Sequence, residues 1–459
     1  MKVVLVIPNF DSYLVAPQLG ILYISSYLKK HGVEVVIIEG LRDNLSDKQI
    51  MDKVIAENPD AVGIHCLTGF YKQVVKLSNL VKEQGYTCIV GGAHPTFMPY
   101  TSLLESKADY VICGEGEVAF LKLAQNNFVN NDIKGVYSLA DLKDDDLLAD
   151  GTPVKKAEYV DNLDEIPFPD WEQIPPSSYP HSPHGLFAKG YPIGVIMASR
   201  GCPYQCTFCS SKNFYDKVRF RSPENVVAEI KYQIEEFGIK ELQFTDDNLT
   251  LKEDYIIKVC NLMIENDIKI PWSTPNGVRA DRVNKDIILL MKKAGCYMLD
   301  FGIESANPQI LKNIKKGETI EQIKNSINIA HEAGMITIGN FIFGLPGETK
   351  ETIEETINFA VNSKLDRAGF FALRLFPGSD LSNELKTQFK LDYSHSFISV
   401  PDWLTGNLTQ NDLIRAIQKA YWRFYFRPKR LFNVLRDIPL SQVKYILKCM
   451  SNYHLFKLW

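Results

Sequence analysis

Two long parts of this chain alternate short apolar runs, rich in β-branched residues, with amphipathic helical stretches. In residues 1–135 the strand-like runs are Val3–Ile7, Val33–Ile38, Ala61–His65, Cys88–Val90 and Tyr110–Ile112. The helical stretches between them lie at Leu19–Lys30, Asp47–Glu57, Tyr71–Gln84 and Val118–Asn126. Such alternation is typical of a parallel sheet with helices on both faces. The sequence therefore predicts an α/β fold whose first domain is a doubly wound, Rossmann-like sheet, with ligands at the carboxyl ends of its strands.

The same alternation restarts near Ile193, and it predicts a second α/β domain over residues 191–385. Strands are indicated at Gly194–Ala198, Glu241–Thr245, Tyr297–Gly302, Ile336–Phe343 and Ala368–Leu375. Helices are indicated at Pro223–Phe237, Asp254–Asn266, Lys285–Ala294, Ile320–Ala333 and Lys350–Asn362. A barrel-like domain fits this pattern better than a second open sheet, although the spacing by itself allows either. Residues 136–190, an acidic patch followed by seven prolines, are predicted to be an extended connector.

Composition limits the classes of protein to which the chain can belong. A length of 459 residues predicts two or three domains. The net charge of −4 gives no general attraction for nucleic acid, so no nucleic-acid partner is expected. No stretch approaches the roughly 18 consecutive apolar residues of a spanning helix. The first residues lack the blocks of a signal peptide, and a cytoplasmic location is expected.

The nine cysteines form a scattered group and a clustered group. The scattered ones lie mostly in apolar runs, where a cysteine is ordinarily a small buried hydrophobe; they are Cys66, Cys88, Cys113, Cys260, Cys296 and Cys449. The clustered ones, Cys202, Cys206 and Cys209, give the spacing CxxxCxxC directly after an apolar strand. Three thiolates on one loop can bind three irons of a four-iron cluster and leave the fourth iron open for a ligand. The alternatives are a structural zinc site, with His181 or His184 as a further ligand, and chance clustering.

Later segments follow this cysteine loop in a fixed order, each at or after the end of a predicted strand, which for Asn276 and Arg279 is a further strand containing Trp272. They contain Asp246 and Asp247, then Asn276 and Arg279, then Glu304 and Ser305, then Gly344. In this order the cysteine loop and the later segments resemble the radical S-adenosylmethionine (radical SAM) superfamily across residues 190–380. The resemblance implies a partial (β/α)6 TIM barrel and a 4Fe-4S cluster held by Cys202, Cys206 and Cys209. It also implies that S-adenosyl-L-methionine (SAM) binds the open iron and is cleaved to a 5′-deoxyadenosyl radical.

The same resemblance implies where SAM is held. Phe208 matches the aromatic residue beside the adenine, and either Asp246 or Asp247 matches the acceptor of the SAM amino group. The remaining implied contacts are Asn276, Arg279, Glu304, Ser305 and Gly344.

Two glycine-rich loops end strands of the first domain. One contains Gly91, Gly92 and His94, and the other reads Gly114-Glu115-Gly116-Glu117. Paired glycines let a flat ligand lie against the backbone, although either loop by itself is equally well an ordinary turn. Together they resemble the cobalamin-binding domain that precedes the radical SAM core in one large subfamily. The contacts implied are Gln18, Gly20, Cys66, Leu67, Thr68, Gly91, Gly92, His94, Gly114, Glu115, Gly116 and Glu117.

The usual source of a lower axial cobalt ligand is missing from this domain. Other cobalamin proteins supply a histidine from a DxHxxG motif, but the corresponding loop, Asn9 to Gly20, contains no histidine. Bound cobalamin is therefore expected to lack a protein imidazole on cobalt, and His65 and His94 are expected to be structural or to contact the nucleotide tail.

The resemblance predicts a cobalamin-dependent methyltransferase that acts on an unactivated carbon of a small-molecule or lipid substrate. The alternatives are a cyclase or another carbon–carbon bond-forming or rearranging enzyme without methyl transfer, and a non-catalytic cobalamin or iron–sulfur sensor. A low-potential flavodoxin or ferredoxin is the implied electron donor. The sequence leaves the substrate and the oligomeric state open.

The C-terminal region, residues 386–459, has a different composition. From Arg415 onward it holds ten Lys or Arg residues and one acid, Asp437, interleaved with aromatic residues. One interpretation is a small helical cap over the barrel with solvated charges. The other is peripheral contact with an anionic membrane on the inner face, since basic aromatic helices bind such surfaces.

Overall fold

The computed structural model describes residues 1–10, 12, 15–181, 188–386 and 408–437. The predictions made for His184, for Cys449 and for the rest of the C-terminal region lie outside these residues. The other scattered cysteines, Cys66, Cys88, Cys113, Cys260 and Cys296, are buried as predicted.

The first sheet is parallel except at one edge. Its strands are β1 Lys2–Ile7, β2 Glu34–Glu39, β3 Ala61–His65, β4 Thr87–Gly91, β5 Tyr110–Ile112 and β6 Val136–Tyr137. They lie in the order β2-β1-β3-β4-β5-β6, and β6 runs antiparallel to β5. The strand order reverses between β1 and β3, and a crevice for ligands opens at such a point, beyond the carboxyl ends of the strands.

The helices of this half connect the parallel strands. They are α1 Leu19–Lys30, α2 Asp47–Glu57, α3 Tyr71–Glu83, α4 Ala93–Phe97, α5 Pro99–Ser106 and α6 Glu117–Gln125. Residues 93–106, which the sequence pattern left unassigned, form α4 and α5. Much of the predicted connector packs on this sheet, because Trp171, Ile174 and Tyr179 are buried against its core.

The second sheet has six parallel strands in sequence order. They are β7 Ile193–Ile196, β10 Glu241–Phe244, β11 Trp272–Val278, β12 Cys296–Glu304, β13 Ile336–Phe343 and β14 Arg367–Ala372. A two-stranded hairpin, β8 Ser199–Arg200 and β9 Arg219–Phe220, follows β7. Sequential parallel strands with intervening helices are the arrangement of a (β/α) barrel, here open between β7 and β14. The predicted α/β class is confirmed.

The helices of the second half lie mostly between its strands. They are α7 Ser211–Phe214, α8 Pro223–Phe237, α9 Glu253–Glu265, α10 Lys285–Lys293, α11 Pro308–Asn313, α12 Ile320–Glu332, α13 Lys350–Asn362, α14 Asp380–Leu385, α15 Gln410–Tyr425 and α16 Pro428–Asp437. Capping residues define where these helices begin and end, as α8 illustrates. Ser222 caps the backbone N–H of Asn225, Pro223 occupies the first turn, and Gly238 ends α8 at φ +60°.

Helix α15 covers the open edge of the barrel. The Tyr425 hydroxyl accepts from the backbone N–H of Ala368 at 3.0 Å and donates to its carbonyl at 2.9 Å. The Tyr421 hydroxyl accepts from the N–H of Phe370 at 3.2 Å. These tyrosines satisfy backbone groups of β14 that another strand would otherwise pair, and an uncovered edge invites association. Residues 410–425 are therefore the cap that one interpretation of the tail predicted. None of the helices in the described ranges combines the length and hydropathy needed to cross a membrane.

Candidate active site between the two sheets

One cavity of about 1090 Å³ is lined by the carboxyl ends of strands from both sheets. From the first half come the ends of β3 and β4 and the loops after β1 and β5, and from the second half the ends of β10 to β14 with the cysteine loop. The predicted site residues that line it are Gln18, Gly20, Leu67, Gly91, Gly92, Gly114, Glu115, Gly116, Glu117, Phe208, Cys209, Asp247, Asn276 and Glu304. The predicted residues outside the lining are Cys66, Thr68, His94, Cys202, Cys206, Asp246, Arg279, Ser305 and Gly344.

The cysteine loop, residues 201–210, carries three free thiols at the edge of this cavity. Cys202, Cys206 and Cys209 are half-buried, and Cys209 is part of the cavity wall. Burial raises the pKa of the Cys209 thiol to about 12, so iron must displace its proton, as thiolate ligation generally requires. In the part of the chain that the structure describes, no three His, Cys, Asp or Glu side chains lie close enough together to hold one metal ion between them. Three thiols on one short loop are nevertheless the donor set that a 4Fe-4S cluster uses.

Residues that follow β11 and α11 contact the cysteine loop. The Tyr204 ring lies 3.5 Å from the Arg279 guanidinium carbon, and the N–H of Thr207 donates to the carbonyl of Ile314 at 3.0 Å. Arg279 also pairs with Asp281 at 2.9 Å. Arg279, predicted from the resemblance to contact SAM, thus supports the loop that carries the cysteines.

The structure distinguishes the two adjacent carboxylates after β10. Asp246 is buried and accepts from the Ser199 hydroxyl at 2.6 Å and from the N–H of Ala198 at 3.1 Å. Burial raises its pKa to about 6. Asp247 lines the cavity and accepts from the Ser211 hydroxyl at 2.7 Å. Asp247 is therefore the carboxylate of this pair that a ligand in the cavity can reach.

The end of β12 brings a second carboxylate to the cavity. Glu304 has φ +65°, a left-handed conformation that costs energy for a residue with a side chain. Its carboxylate lies 3.2 Å from the ammonium of Lys316, which lies 3.3 Å from Glu318. Lys316 is a buried cation that no sequence motif indicated. The run Lys315-Lys316-Gly317 is the only local feature that could have drawn attention to it.

Ser305 and Gly344 shape turns beside the cavity. The Ser305 hydroxyl accepts from the N–H of Asn307 at 3.2 Å and lies 3.2 Å from the Thr356 hydroxyl. Gly344, at φ +90°, donates its N–H to the Glu348 carboxylate at 2.6 Å. Both residues therefore hold the chain at a strand end instead of presenting a side chain to the cavity.

Two glycines of the first half, Gly20 in the first turn of α1 and Gly91 at the end of β4, leave room for a ligand in the cavity. A Cβ added at Gly20 would meet no atom within 4 Å, and one at Gly91 would meet none closer than 3.9 Å. Gly92 instead has φ +124°, and its Cβ would lie 2.4 Å from the carbonyl oxygen of Cys66. The backbone at Gly92 is thus tightly packed behind the cavity, whereas Gly20 and Gly91 present no side chain toward it. A broad, flat ligand could therefore lie against the backbone there.

The histidines near these loops are already hydrogen-bonded. His65 lines the cavity, and its Nε2–H donates to the Gln18 side-chain oxygen at 3.2 Å. Burial lowers the pKa of His65 to about 4, so its ring is neutral at pH 7. His94 is buried behind the loop, where it stacks on Tyr71 with ring centroids 4.1 Å apart and lies 3.2 Å from the Thr68 hydroxyl.

A buried network of charges joins the two halves. Glu115 pairs with Arg200 and Arg219, and Glu117 pairs with Arg200 at 2.8 Å. The four side chains are only 5–7% exposed. Arg200 and Arg219 face each other in the β8–β9 hairpin. Glu115 and Glu117, which are predicted to contact cobalamin, therefore also link the first half to the β8–β9 hairpin. The cysteine loop lies between the two strands of this hairpin.

A buried acid beneath the cavity gives a pH-dependent prediction. Asn340 lines the cavity and donates its side-chain N–H to the Asp300 carboxylate at 2.8 Å. Burial, with the nearby charge of Glu304, raises the pKa of Asp300 to about 7. In the unfolded chain this group titrates near its ordinary value of about 3.9. Between these values the native state holds a proton that the unfolded state has lost, so stability falls as the pH rises from about 4 to 7.

Asp300→Asn is therefore expected to be the more stable protein above pH 7, by up to about 4 kcal/mol, and to match wild type below pH 4. Urea unfolding across this pH range measures the difference. The exposed Asp286→Asn variant is the control and is expected to follow wild type at every pH. A wild-type protein whose stability does not fall between pH 4 and 7 relative to Asp300→Asn would contradict the assignment.

Comparisons with known proteins match both halves. Residues 8–124 match the B12 binding domain family, and residues 196–360 match the Radical SAM superfamily. An uncharacterized methyltransferase of Pyrococcus horikoshii is 32% identical, and the match covers 94% of each chain. The cytidylyl-2-hydroxyethylphosphonate methyltransferase of Streptomyces wedmorensis is 30% identical over 84% of this chain and 83% of that one. The anaerobic magnesium-protoporphyrin IX monomethyl ester cyclase of Rubrivivax gelatinosus is 27% identical over 99% and 82%.

The fold is shared with a solved structure. The cobalamin-dependent SAM radical enzyme OxsB, with aqua-cobalamin and SAM bound, superposes with a TM-score of 0.74 at 17% identity, over 99% of this chain and 72% of that one. Both domain families occur in this chain, the B12 binding domain first, and the two methyltransferase relatives above match over most of their length. The chain therefore belongs to the radical SAM enzymes that carry an N-terminal B12-binding domain.

Proposed function

We propose that this enzyme is a cobalamin-dependent radical SAM methyltransferase that acts on an unactivated carbon of a small-molecule substrate. The observation that carries the proposal is the shared cavity. Cys209 and the glycines Gly91 and Gly116 line the same space, although they come from different halves of the chain. A group that generates a substrate radical and a group that carries a methyl must both reach one substrate atom, and a common cavity makes this feasible.

The cysteine loop and its neighbours would hold the cluster and SAM. When bound, the 4Fe-4S cluster supplies the electron that cleaves SAM to a 5′-deoxyadenosyl radical, and cobalamin supplies a methyl carrier. Cys202, Cys206 and Cys209 would bind three irons of the cluster. Asp247 and Glu304 are the carboxylates at the cavity, and a carboxylate is a strong acceptor for the SAM ammonium. Phe208 and Asn276 would complete the SAM subsite, while Asp246 and Arg279 hold the surrounding backbone.

The glycine loops would receive the corrin. Gly20 and Gly91 are bare toward the cavity, so a flat ring can approach the backbone there. His65 directs its Nε2–H at Gln18 and offers no lone pair from that nitrogen. In this arrangement the Nε2 atom of His65 would not be a ligand of the cobalt.

The ends of β13 and β14 would hold the substrate. Ile342, Phe371 and Phe376 give this part of the cavity apolar walls, and Asn340 adds a polar group fixed by Asp300. Apolar walls exclude water from the reacting carbon, and a few fixed polar groups orient the ligand. Two of the basic side chains of α15, Lys419 and Arg423, pair with Glu354 on α13 and are thus engaged within the protein.

The relatives favour methyl transfer over cyclisation. The two relatives described above at 30% identity or more have methyltransferase names, whereas the cyclase is 27% identical. The test is a single turnover of anaerobically reconstituted protein with cobalamin, dithionite and SAM carrying a deuterated methyl group. Methyl transfer predicts S-adenosylhomocysteine and recovery of the label in the cobalamin fraction. Production of 5′-deoxyadenosine without either product would contradict methyl transfer and support the cyclase or rearrangement alternative.

A further inference from the structure

The chain that continues from β14 places one arginine on the cavity wall. The N–H of Leu373 donates to the carbonyl of Phe343 at 2.8 Å, so pairing with β13 extends past the end of β14. Successive side chains of an extended backbone point to opposite sides. Leu373 and Leu375 are buried in the hydrophobic core, and Arg374 between them lines the cavity. Arg374 therefore belongs to the wall that the proposed substrate would contact.

The segment that follows this arginine is anchored to the surroundings of the cysteine loop. The N–H of Leu381 donates to the carbonyl of Thr207 at 2.8 Å. The side-chain N–H of Asn213 donates to the carbonyl of Gly378 at 2.7 Å. These bonds hold the end of β14 beside the predicted cluster site. A group bound by the arginine would therefore lie in the cavity that Cys209 also lines.

The positive charges of the cavity lie in two different places. Arg200 and Arg374 are the two Lys or Arg side chains on the cavity wall among the described residues. Arg200 pairs with Glu115 and Glu117, and it belongs to the charge network that joins the two halves. Arg374 is thus the cation on the part of the wall formed by the ends of β13 and β14.

The surroundings of Arg374 favour an anion as its ligand. Ile342, Phe371 and Phe376 give the same wall apolar surfaces. Burial lowers the pKa of Arg374, because its charge loses solvation there. A carboxylate, phosphonate or phosphate replaces that solvation with charge-assisted, bidentate hydrogen bonds. The guanidinium has five N–H donors, so it can bind such a group and contact the protein at the same time.

We propose that Arg374 binds an anionic group of the substrate, a carboxylate, phosphonate or phosphate, and so selects anionic small molecules as methyl acceptors. This inference rests on the proposed function, because it names the class of substrate for that reaction. The guanidinium takes part in binding only, and no bond forms or breaks at it. A fixed anionic end would orient the rest of the substrate along the apolar walls. SAM also carries a carboxylate and cobalamin a phosphate, and the test separates these sources.

The test measures binding to protein reconstituted with the cluster, cobalamin and SAM, without reductant. Phenylphosphonate is the probe, because it joins an anionic group to an apolar ring, and its neutral dimethyl ester is the comparison. Ligand-observed NMR measures the affinity of both for wild type, Arg374→Gln and Arg374→Lys. Lys364→Gln is the matched control, because it removes an exposed positive charge near the opposite end of β14. Equilibrium dialysis measures the affinities of the same variants for SAM and cobalamin.

Arg374→Gln is expected to bind phenylphosphonate about tenfold more weakly than wild type, because a charged hydrogen-bonded contact is lost. Arg374→Lys should recover part of this affinity, since lysine keeps the charge but not the planar fork. Iron content, SAM and cobalamin affinities and binding of the neutral ester should stay at wild-type values. Lys364→Gln should match wild type throughout.

Equal phenylphosphonate affinity in Arg374→Gln and wild type would overturn the proposal. A matching loss of SAM or cobalamin affinity would also overturn it, by assigning the arginine to a cofactor. The same holds if wild type binds the neutral ester as well as the phosphonate, a comparison that stands even if Arg374→Gln fails to fold. The single turnover described above does not depend on this binding, so a failure of methyl transfer would refute the proposed function and leave the anion site to the titration.

Discussion

Replacing Cys202, Cys206 and Cys209 together by alanine is expected to remove cluster iron from the protein and to reduce SAM cleavage below detection. The three thiols share one loop. The contact between Tyr204 and Arg279 and backbone hydrogen bonds hold that loop in place, and none of these interactions involves sulfur. The variant should therefore fold but lack the iron ligands. Iron analysis, the visible absorbance of the reconstituted protein and 5′-deoxyadenosine formation with dithionite measure the outcome.

Cys260→Ala is the matched control for this variant. Cys260 lies in α9 of the same domain and is buried in its hydrophobic core. Removing one small buried group costs about 1 kcal/mol of stability but takes away no iron ligand. The control should keep wild-type iron and SAM cleavage. If the triple variant still bound cluster iron and cleaved SAM, the assignment of the cysteine loop as the cluster site would be wrong.

Glu115→Ala is expected to destabilise the contact between the two halves by about 3–5 kcal/mol, because it leaves buried guanidinium groups without their main partner. Arg219 would lose its carboxylate, and Arg200 would keep only Glu117. We expect the β8–β9 hairpin to open more readily and cobalamin to bind more weakly. Hydrogen exchange of the hairpin amides measures the opening, and equilibrium dialysis measures cobalamin affinity.

Lys122→Ala provides the comparison for this prediction. Lys122 lies on α6, close in sequence to Glu115, and forms an exposed pair with Glu158. Exposed pairs contribute about 0–1 kcal/mol, so this variant should resemble wild type. Equal hydrogen exchange in Glu115→Ala and Lys122→Ala would show that the buried network does not hold the halves together.

Most of the secondary structure was predictable from the sequence, because it depends on short-range periodicity. The bounds of β3, β5, α1, α2, α8, β13 and α13 agree with the predicted ranges. The cysteine cluster was equally predictable, since three thiols within eight residues need no tertiary contact to lie near each other. Short helices such as α4 and α11 were missed, because segments of a few residues carry too little periodicity to recognise.

The positions of individual side chains at the site were harder to predict. Asp246 and Asp247 are adjacent, and the sequence could not separate them. The fold turns Asp246 toward Ser199 and leaves Asp247 at the cavity. In the same way, Ser305 and Gly344 match a family pattern, yet their contacts lie within strand-end turns.

The sequence by itself determined the alternating α/β elements, the order of the two matched domains and the close spacing of three cysteines, because all of these follow from local pattern and covalent spacing. Only the tertiary structure decided that Glu115 meets Arg200 and Arg219, which are 85 and 104 residues away. It also decided that Tyr421 and Tyr425 close the edge of β14. Such pairings depend on how separate elements pack, and packing is a property of the whole fold that no short window of sequence contains.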